Sequence, residues 1–206
     1  MNVWYWAGYN LSKLIAKTFF SFRVEHRERI IETGGVILAM NHQSFVDPPL
    51  AGICCKRDIF FLARKSLFKW PVLGPIFPKI NVVPVNRDGS DMSALKTVIK
   101  MIKAGHCTIL FPEGTRTRDG NLQPARAGIG LVIAKTLAPV VPMRIFGAFE
   151  AFPRDRKLPK RRPITIVVGD PIYFTEADVA EGGRDLYQKL SDRVMERIAA
   201  IQYNRP

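Results

Sequence analysis

The chain has 206 residues, of which 47% are hydrophobic and 24% charged, and this suits one folded domain with a buried core. Its 31 Lys and Arg residues outnumber 18 Asp and Glu, for a formal net charge of +13, which leaves nucleic acid, an anionic bilayer and phosphate-bearing substrates all as candidate partners. The spacing of Cys54, Cys55 and Cys107 argues against a disulfide framework or a metal knuckle, so a reducing compartment is expected.

Residues 3–23 form the first predicted element, an amphipathic helix. Two lysines interrupt its apolar run, so it offers no uncharged stretch of the ~20 residues needed to span a bilayer, and the order of a signal peptide is not present. Aromatic residues at one end and lysines along one side are typical of a helix that lies in a membrane interface. An ordinary core-packing helix is the alternative, and one helix can do both. The residues expected to contact the membrane are Trp4, Trp6, Phe19, Phe20, Lys13 and Lys17. We therefore expect an N-terminal interfacial helical segment, residues 1–30, followed by a single domain, residues 31–206.

The rest of the chain alternates short apolar runs with helical patterns. The predicted strands, each rich in β-branched or aromatic residues, are 36–40, 59–62, 81–85, 108–111, 140–145 and 164–168. The predicted helices, each with apolar residues at helical spacing, are 91–103, 127–137 and 184–201. Strands that alternate with helices favour an α/β fold with a mixed, largely parallel sheet covered by helices.

A histidine and an aspartate follow the first predicted strand. His42 lies just past the strand end, where the loops of an open sheet build sites, and Asp47 comes five residues later. A turn between them would bring the carboxylate to the imidazole, orient the ring and stabilise the imidazolium that forms when His42 takes a proton. A solvated pair on a loop is the alternative, and these two residues alone do not decide.

Polar residues also follow two other predicted strands. Residues 111–116 read Phe-Pro-Glu-Gly-Thr-Arg, in which Gly114 allows close approach of the backbone to a ligand and Thr115 offers a hydroxyl. Arg116 has a planar guanidinium that can bind phosphate through two bonds, and Arg87 would add a second cation. Each could be an ordinary polar loop residue, but two arginines beside a histidine suit a phosphomonoester.

These blocks resemble the glycerolipid acyltransferase family. Residues 41–47 match its His-x-x-x-x-Asp block, and residues 111–116 match its Phe-Pro-Glu-Gly-Thr-Arg block residue for residue. Residues 80–87 and 141–147 resemble its second and fourth blocks more loosely. The four blocks occur in the family's order and extend over most of the chain.

The resemblance implies transfer of a fatty acyl group from a thioester, acyl-CoA or acyl carrier protein, to the sn-2 hydroxyl of lysophosphatidic acid. It makes His42 the general base and Asp47 the residue that orients it, with no acyl-enzyme, no cofactor and no metal. The residues that it assigns to the glycerol-phosphate portion of the substrate are Arg87, Glu113, Gly114, Thr115 and Arg116.

A lysophospholipid lies in a bilayer, so the resemblance also implies an anionic membrane surface as a partner. We expect a peripheral or monotopic protein on the cytoplasmic face of that membrane. The basic run of residues 154–162 could contact anionic headgroups there, or it could be a solvated loop.

Two alternatives remain open. Within the family, the acceptor could be another lysolipid. Outside it, a basic module that binds nucleic acid or membrane would explain the net charge, but the chain has no helix-turn-helix, zinc-finger or RNA-binding signature. We therefore expect no nucleic-acid partner.

Overall fold

The computed structural model describes residues 2–85 and 92–203. Its strands are β1 (Arg23–Glu25), β2 (Val36–Met40), β3 (Ile59–Arg64), β4 (Val82–Val85), β5 (Cys107–Leu110), β6 (Val140–Phe146) and β7 (Thr165–Val168). They form a seven-stranded sheet in the order β1-β7-β6-β2-β5-β3-β4. The strands from β6 to β4 run parallel, whereas β7 is antiparallel to β6 and parallel to β1. The expected mixed, largely parallel sheet is therefore confirmed.

Helices cover both faces of this sheet. They are α1 (Val3–Phe20), α2 (Asp47–Gly52), α3 (Met92–Lys103), α4 (Gly128–Thr136), α5 (Ala148–Ala151) and α6 (Gly183–Ala200). Short 3-10 helices occupy Arg27–Arg29, Lys65–Lys69, Phe77–Ile80 and Ala177–Val179. All six predicted strands are present, with ends shifted by at most two residues, but β1, α2 and α5 were not predicted. These three elements are only three to six residues long, too short for a periodic pattern to show.

The central strand β2 supplies side chains to two separate hydrophobic cores. Val36, Leu38 and Met40 point into the core beneath α1, α2 and α5. Ile37 and Ala39 point into the core beneath α3, α4 and α6. Because both faces of β2 are covered, all five residues are buried, and the strand reads as a continuous apolar run in the sequence. The end of β2 is therefore held rigidly in the middle of the molecule.

Helix α1 packs against the first of these cores. Asn2 caps its N-terminus, with the Asn2 side chain accepting a hydrogen bond from the Tyr5 N–H at 2.8 Å. The buried Tyr5 hydroxyl accepts a hydrogen bond from the Ile59 N–H at 3.1 Å, which ties the helix to β3. The helix ends at Phe20, three residues earlier than predicted, because Ser21 has a left-handed conformation with φ 45°. The N-terminal segment thus shares a core with the sheet.

The prediction that Phe20 contacts a membrane is wrong. Phe20 is 3% exposed and lies in the core, and Phe19 is half-buried against the same core. Their position on the helix turns them toward the sheet. The other residues predicted to face a membrane are exposed, namely Trp4, Trp6, Lys13 and Lys17. Within the described parts of the chain, no helix is both long and apolar enough to cross a bilayer.

Candidate active site

Loops from neighbouring parallel strands meet at one edge of the sheet. β2 lies between β5 and β6, so the residues after the carboxyl ends of these three strands are brought together. Buried Asn41 joins two of them: its Nδ2 donates to the Ile145 carbonyl at 3.2 Å, and its Oδ1 accepts from the Ile145 N–H at 2.8 Å. This pair of bonds to β6 fixes the backbone directly before His42.

His42 and Asp47 form a hydrogen-bonded pair. Nδ1 of His42 lies 2.7 Å from Oδ2 of Asp47, and that oxygen also accepts the N–H groups of Gln43 and Ser44, each at 2.6 Å. Asp47 is fully buried. Since a carboxylate only accepts hydrogen bonds, Nδ1 carries the proton of the neutral ring and Nε2 keeps its lone pair. No described residue hydrogen-bonds to Nε2, so this atom is available to a substrate.

The loop after β5 supports His42 from behind. The Phe111 ring stacks on the His42 ring, with centroids 3.9 Å apart and planes 17° from parallel. The backbone N–H of His42 donates to Oε1 of Glu113 at 3.2 Å, and the backbone carbonyl of His42 accepts from the Thr117 N–H at 2.8 Å. His42 is therefore held by contacts to its ring, its backbone N–H and its backbone carbonyl.

Glu113 lies beneath His42, with 3% of its surface exposed, and it does not line the cavity at this edge. Burial raises the pKa of its carboxyl from 4.5 to about 7; the His42 N–H opposes this shift and the charge of Asp47 adds to it. Oε2 of Glu113 has no hydrogen-bond partner among the described residues, so it is the atom free to take a proton. Glu113 therefore holds the backbone of His42 and does not line the cavity.

A cavity of about 870 Å³ opens in front of His42. The residues that line it include His42, Arg64, Gly114, Thr115, Arg116 and Arg154. Three of the five residues expected to bind the glycerol-phosphate portion, namely Gly114, Thr115 and Arg116, thus line the cavity, whereas Glu113 does not. The fifth, Arg87, lies outside the described residues.

Apolar side chains also line the cavity, namely Phe61, Leu62, Leu95, Ile109 and Ile129. The site therefore combines an imidazole, several guanidinium groups and apolar side chains, an arrangement suited to a molecule with both an anionic group and a hydrocarbon chain.

A family match agrees with this geometry. The model of the acyltransferase family matches residues 21–146. The chain belongs to the acyltransferase family. The matched residues contain β1 to β6 and α2 to α4 in full, and so include both blocks around His42 and Gly114.

Named relatives share the sequence to different extents. The chain is 31% identical to a chloroplastic 1-acyl-sn-glycerol-3-phosphate acyltransferase of Brassica napus over 69% of its own length but only 42% of that protein. It is 26% identical to the 1-acyl-sn-glycerol-3-phosphate acyltransferase of Bacillus subtilis over 94% of each chain. Thus it spans less than half of the plant relative and nearly all of the bacterial one.

A solved structure shares the fold. The 1-acyl-sn-glycerophosphate acyltransferase of Thermotoga maritima superposes with a TM-score of 0.75 at 24% identity, over 97% of this chain and 81% of that chain. The acyltransferase fold is therefore present over nearly the whole chain, N-terminal helix included.

Several residues of this acyltransferase site were not assigned a role from the sequence. Asn41 had no role because its partner Ile145 is distant in the chain, and Arg154 was grouped with the basic run of residues 154–162. In the sequence, only its position at a strand end set Asn41 apart. Among the described residues, no group of three His, Cys, Asp or Glu side chains is arranged to hold a metal ion.

Proposed function

We propose that this protein transfers a fatty acyl group from acyl-CoA or acyl carrier protein to the sn-2 hydroxyl of lysophosphatidic acid, giving phosphatidic acid. The observation that supports it most is the His42–Asp47 pair, with Nε2 of His42 facing a cavity that also holds Arg116. Family membership and the names of the relatives support the choice of acyl transfer and of acceptor. The proposed reaction uses no cofactor besides the thioester donor.

In the proposed reaction, His42 acts as a general base. Nε2 takes the proton of the acceptor hydroxyl while the hydroxyl oxygen attacks the thioester carbonyl, and Asp47 stabilises the imidazolium. The tetrahedral intermediate collapses as the C–S bond breaks, and the thiolate takes the proton from the imidazolium. The products are an ester and a free thiol, and His42 returns to its starting tautomer. Base catalysis of this kind contributes about 10²–10⁴-fold.

Direct transfer without an acyl-enzyme is supported by the placement of the sulfur atoms. Cys54, Cys55 and Cys107 are buried in the interior, and none of them lines the cavity in front of His42. Burial raises the pKa of the Cys54 and Cys107 thiols to about 12 and also raises that of Cys55, so none is a ready thiolate. The Ser44 hydroxyl donates to the Phe152 carbonyl at 2.7 Å and is buried as well.

The lining of the cavity suits the two parts of a lysophospholipid. Arg116 can bind a phosphate through a charge-assisted bidentate pair. Leu95 and Ile129 also line the cavity, and an acyl chain that packs against them would be removed from water. A nucleic acid would need a basic surface with exposed stacking aromatics, whereas His42 and these apolar side chains line a cavity.

We also propose that α1 lies on an anionic membrane surface. Its outward side exposes large apolar residues that no other described part of the protein covers, with Leu11 at 59% and Leu14 at 60%. Trp4 and Trp6 stand at one end of this side, and the ammonium of Lys79 lies 4.2 Å from the Trp4 ring. Indole rings and lysines favour the polar boundary of a bilayer.

The reaction is tested by following thiol release from palmitoyl-CoA and from palmitoyl carrier protein in mixed micelles, with and without lysophosphatidic acid. We expect release that depends on the acceptor and that falls by at least about 10²-fold in His42→Ala. His106→Ala is the matched control, because His106 precedes β5 at the opposite edge of the sheet. The faster donor identifies the thioester that the protein uses.

Three other results would contradict the proposal. Full activity in His42→Ala would exclude the mechanism. No release with either donor, from a folded sample, would exclude acyl transfer to lysophosphatidic acid. Faster release with a lysolipid that has a different headgroup would replace lysophosphatidic acid as the acceptor.

The membrane proposal is tested by sedimentation with vesicles of phosphatidylglycerol and phosphatidylcholine. We expect the double variant Leu11→Gln, Leu14→Gln to lose most vesicle binding while its unfolding temperature stays near that of the wild type. Tyr173→Gln is the control, since Tyr173 is 66% exposed outside α1. Equal sedimentation of all three proteins would overturn the proposal.

A further inference from the structure

One member of the basic run of residues 154–162 stands apart from the others. Arg154 lines the cavity in front of His42, and it follows β6 and α5 at the same sheet edge as the other cavity residues. Its neighbour Arg156 does not line this cavity. A run that looked uniform in the sequence therefore contains one arginine that faces the candidate active site.

The backbone before Arg154 is attached to the loop that carries His42. Within that loop, the Ser44 hydroxyl donates to the Phe152 carbonyl at 2.7 Å, and the Phe45 and Phe152 rings are 6.1 Å apart. The guanidinium of Arg116 stacks on the Phe45 ring, with its Cζ 3.5 Å from the ring centroid. Arg154 and Arg116 are thus positioned through the same short loop.

The arginines at this edge are not neutralised by hydrogen-bonded carboxylates. In the described parts of the chain, Arg64, Arg116 and Arg154 take part in no ion pair within 4.0 Å, and Nη1 of Arg116 is buried without a hydrogen-bond partner. Burial lowers the pKa of Arg116 most, and the charges of Arg154 and Arg64 lower it further. The carboxylates of Asp47 and Asp155 act in the opposite direction. A half-buried guanidinium beside like charges is stabilised when an anion binds.

The chemistry of three convergent guanidinium groups favours one class of anion. A phosphomonoester carries a charge near −2 at neutral pH and three terminal oxygens, so two or three arginines can bind it at once. A phosphodiester carries a single charge and only two free oxygens. A second guanidinium therefore distinguishes the two kinds of headgroup better than Arg116 alone.

We propose that Arg154 is an acceptor-specificity residue, which binds the phosphomonoester of the acceptor together with Arg116 and selects it over lysolipids whose phosphate is a diester. The inference rests on the proposed function, because it concerns the acceptor of that reaction. It gives Arg154 a role in the cavity that the other residues of the basic run do not share.

The first test needs no turnover. Binding of sn-glycerol 3-phosphate to the full chain is measured by calorimetry for wild type, Arg154→Gln, Arg116→Gln and Arg156→Gln. Because a charge-assisted hydrogen bond contributes about 1.5–3 kcal/mol, we expect the dissociation constant to rise at least about 10-fold in Arg154→Gln and in Arg116→Gln. Arg156→Gln should bind like the wild type, and Arg154→Lys should recover part of the affinity.

The second test measures specificity. For Arg154→Gln we expect the KM for lysophosphatidic acid to rise about 10-fold with little change in kcat, since the chemistry at His42 is untouched. The preference for lysophosphatidic acid over lysophosphatidylglycerol, a phosphodiester, should fall by a similar factor.

The outcomes separate the two proposals. Unchanged binding and unchanged KM in Arg154→Gln, with losses in Arg116→Gln, would overturn the role of Arg154 and leave the proposed function intact. Weaker sedimentation of Arg154→Gln with anionic vesicles, at unchanged glycerol 3-phosphate affinity, would overturn it in favour of a membrane contact. A wild-type protein that neither binds glycerol 3-phosphate nor acylates lysophosphatidic acid would overturn both.

Discussion

Two parts of the site differ in how far their polar side chains are hydrogen-bonded within the protein. We call residues 41–47 the catalytic loop, and Arg64, Arg116 and Arg154 the arginine cluster. In the catalytic loop, the Asp47 carboxylate is hydrogen-bonded to the His42 ring, and the Asn41 side chain is hydrogen-bonded to the backbone of β6. In the arginine cluster, the guanidinium groups have no such acceptors among the described residues, and Arg116 rests only on the Phe45 ring.

The difference fits the roles that we propose for the two parts. A group that moves a proton must have its geometry set before the substrate arrives, and internal hydrogen bonds provide that. A group that binds an anion must keep its donors free, and the protein bears a cost in stability for leaving them unmatched. Substitutions in the catalytic loop should therefore change kcat, whereas substitutions near the arginine cluster should change KM.

The largest expected effect is that of Asp47→Asn on kcat. The Asn side chain can still accept the N–H groups of Gln43 and Ser44 through its oxygen, but it carries no charge to stabilise the His42 imidazolium. We expect kcat to fall by about 10²–10⁴-fold with a KM close to that of the wild type. Initial rates at varied lysophosphatidic acid concentration measure both. If Asp47→Asn changed mainly KM, at an unchanged unfolding temperature, the catalytic loop would not act chiefly on kcat as we expect.

The next effect concerns stability and pH. The pKa of Glu113 is raised from 4.5 to about 7, chiefly by burial, so the folded state binds more protons than the unfolded state between these values. The contribution of Glu113 to the free energy of unfolding is then lost as the pH rises through this window. Gln does not titrate. The free energy of unfolding of Glu113→Gln, relative to that of the wild type, should therefore rise by about 2 to 3 kcal/mol from about pH 5 to about pH 8.

Urea unfolding of both proteins at the two pH values measures this gain. Glu150→Gln is the control, because Glu150 is exposed on α5 and its substitution changes the net charge by the same amount. If the difference in unfolding free energy between Glu113→Gln and the wild type were the same at both pH values, burial beneath the catalytic loop would not raise the pKa of Glu113 as we infer.

The smallest expected effect lies where the two parts join. Gly114 has φ +68°, and a Cβ there would lie 2.9 Å from Cδ of Arg126, another cavity residue. Gly114→Ala should cost about 1–2 kcal/mol for the left-handed backbone and should also displace Arg126. We expect the KM for the acceptor to rise a few-fold.

A matched glycine separates these two causes. Gly34 has φ +72° with nothing within 4 Å of its Cβ position, so Gly34→Ala should have the same backbone cost and an unchanged KM. Unfolding free energies and KM values of both variants are compared. An equal rise in KM in both variants would mean that the contact with Arg126 does not matter.

Much of the fold could be predicted because it depends on local patterns. The buried strand β2 reads as five apolar residues in a row, and its predicted bounds are those observed. Antiparallel pairing of β7 with β6 could not be read from the sequence, because register and direction depend on pairing between distant residues. Phe20 was misplaced because the aromatic and basic residues of the N-terminal segment were grouped together without regard to the side of the helix on which each one lies.

The sequence by itself determined the residues that can do chemistry and their order along the chain. His42 and Asp47, five residues apart, lie after a predicted strand, and together with the block of residues 111–116 they resemble the acyltransferase family closely enough to predict the site. Only the tertiary structure decided which of the other charged residues join them. It placed Glu113 under the His42 backbone and Arg154 in the cavity, since both positions depend on which strands become neighbours in the sheet.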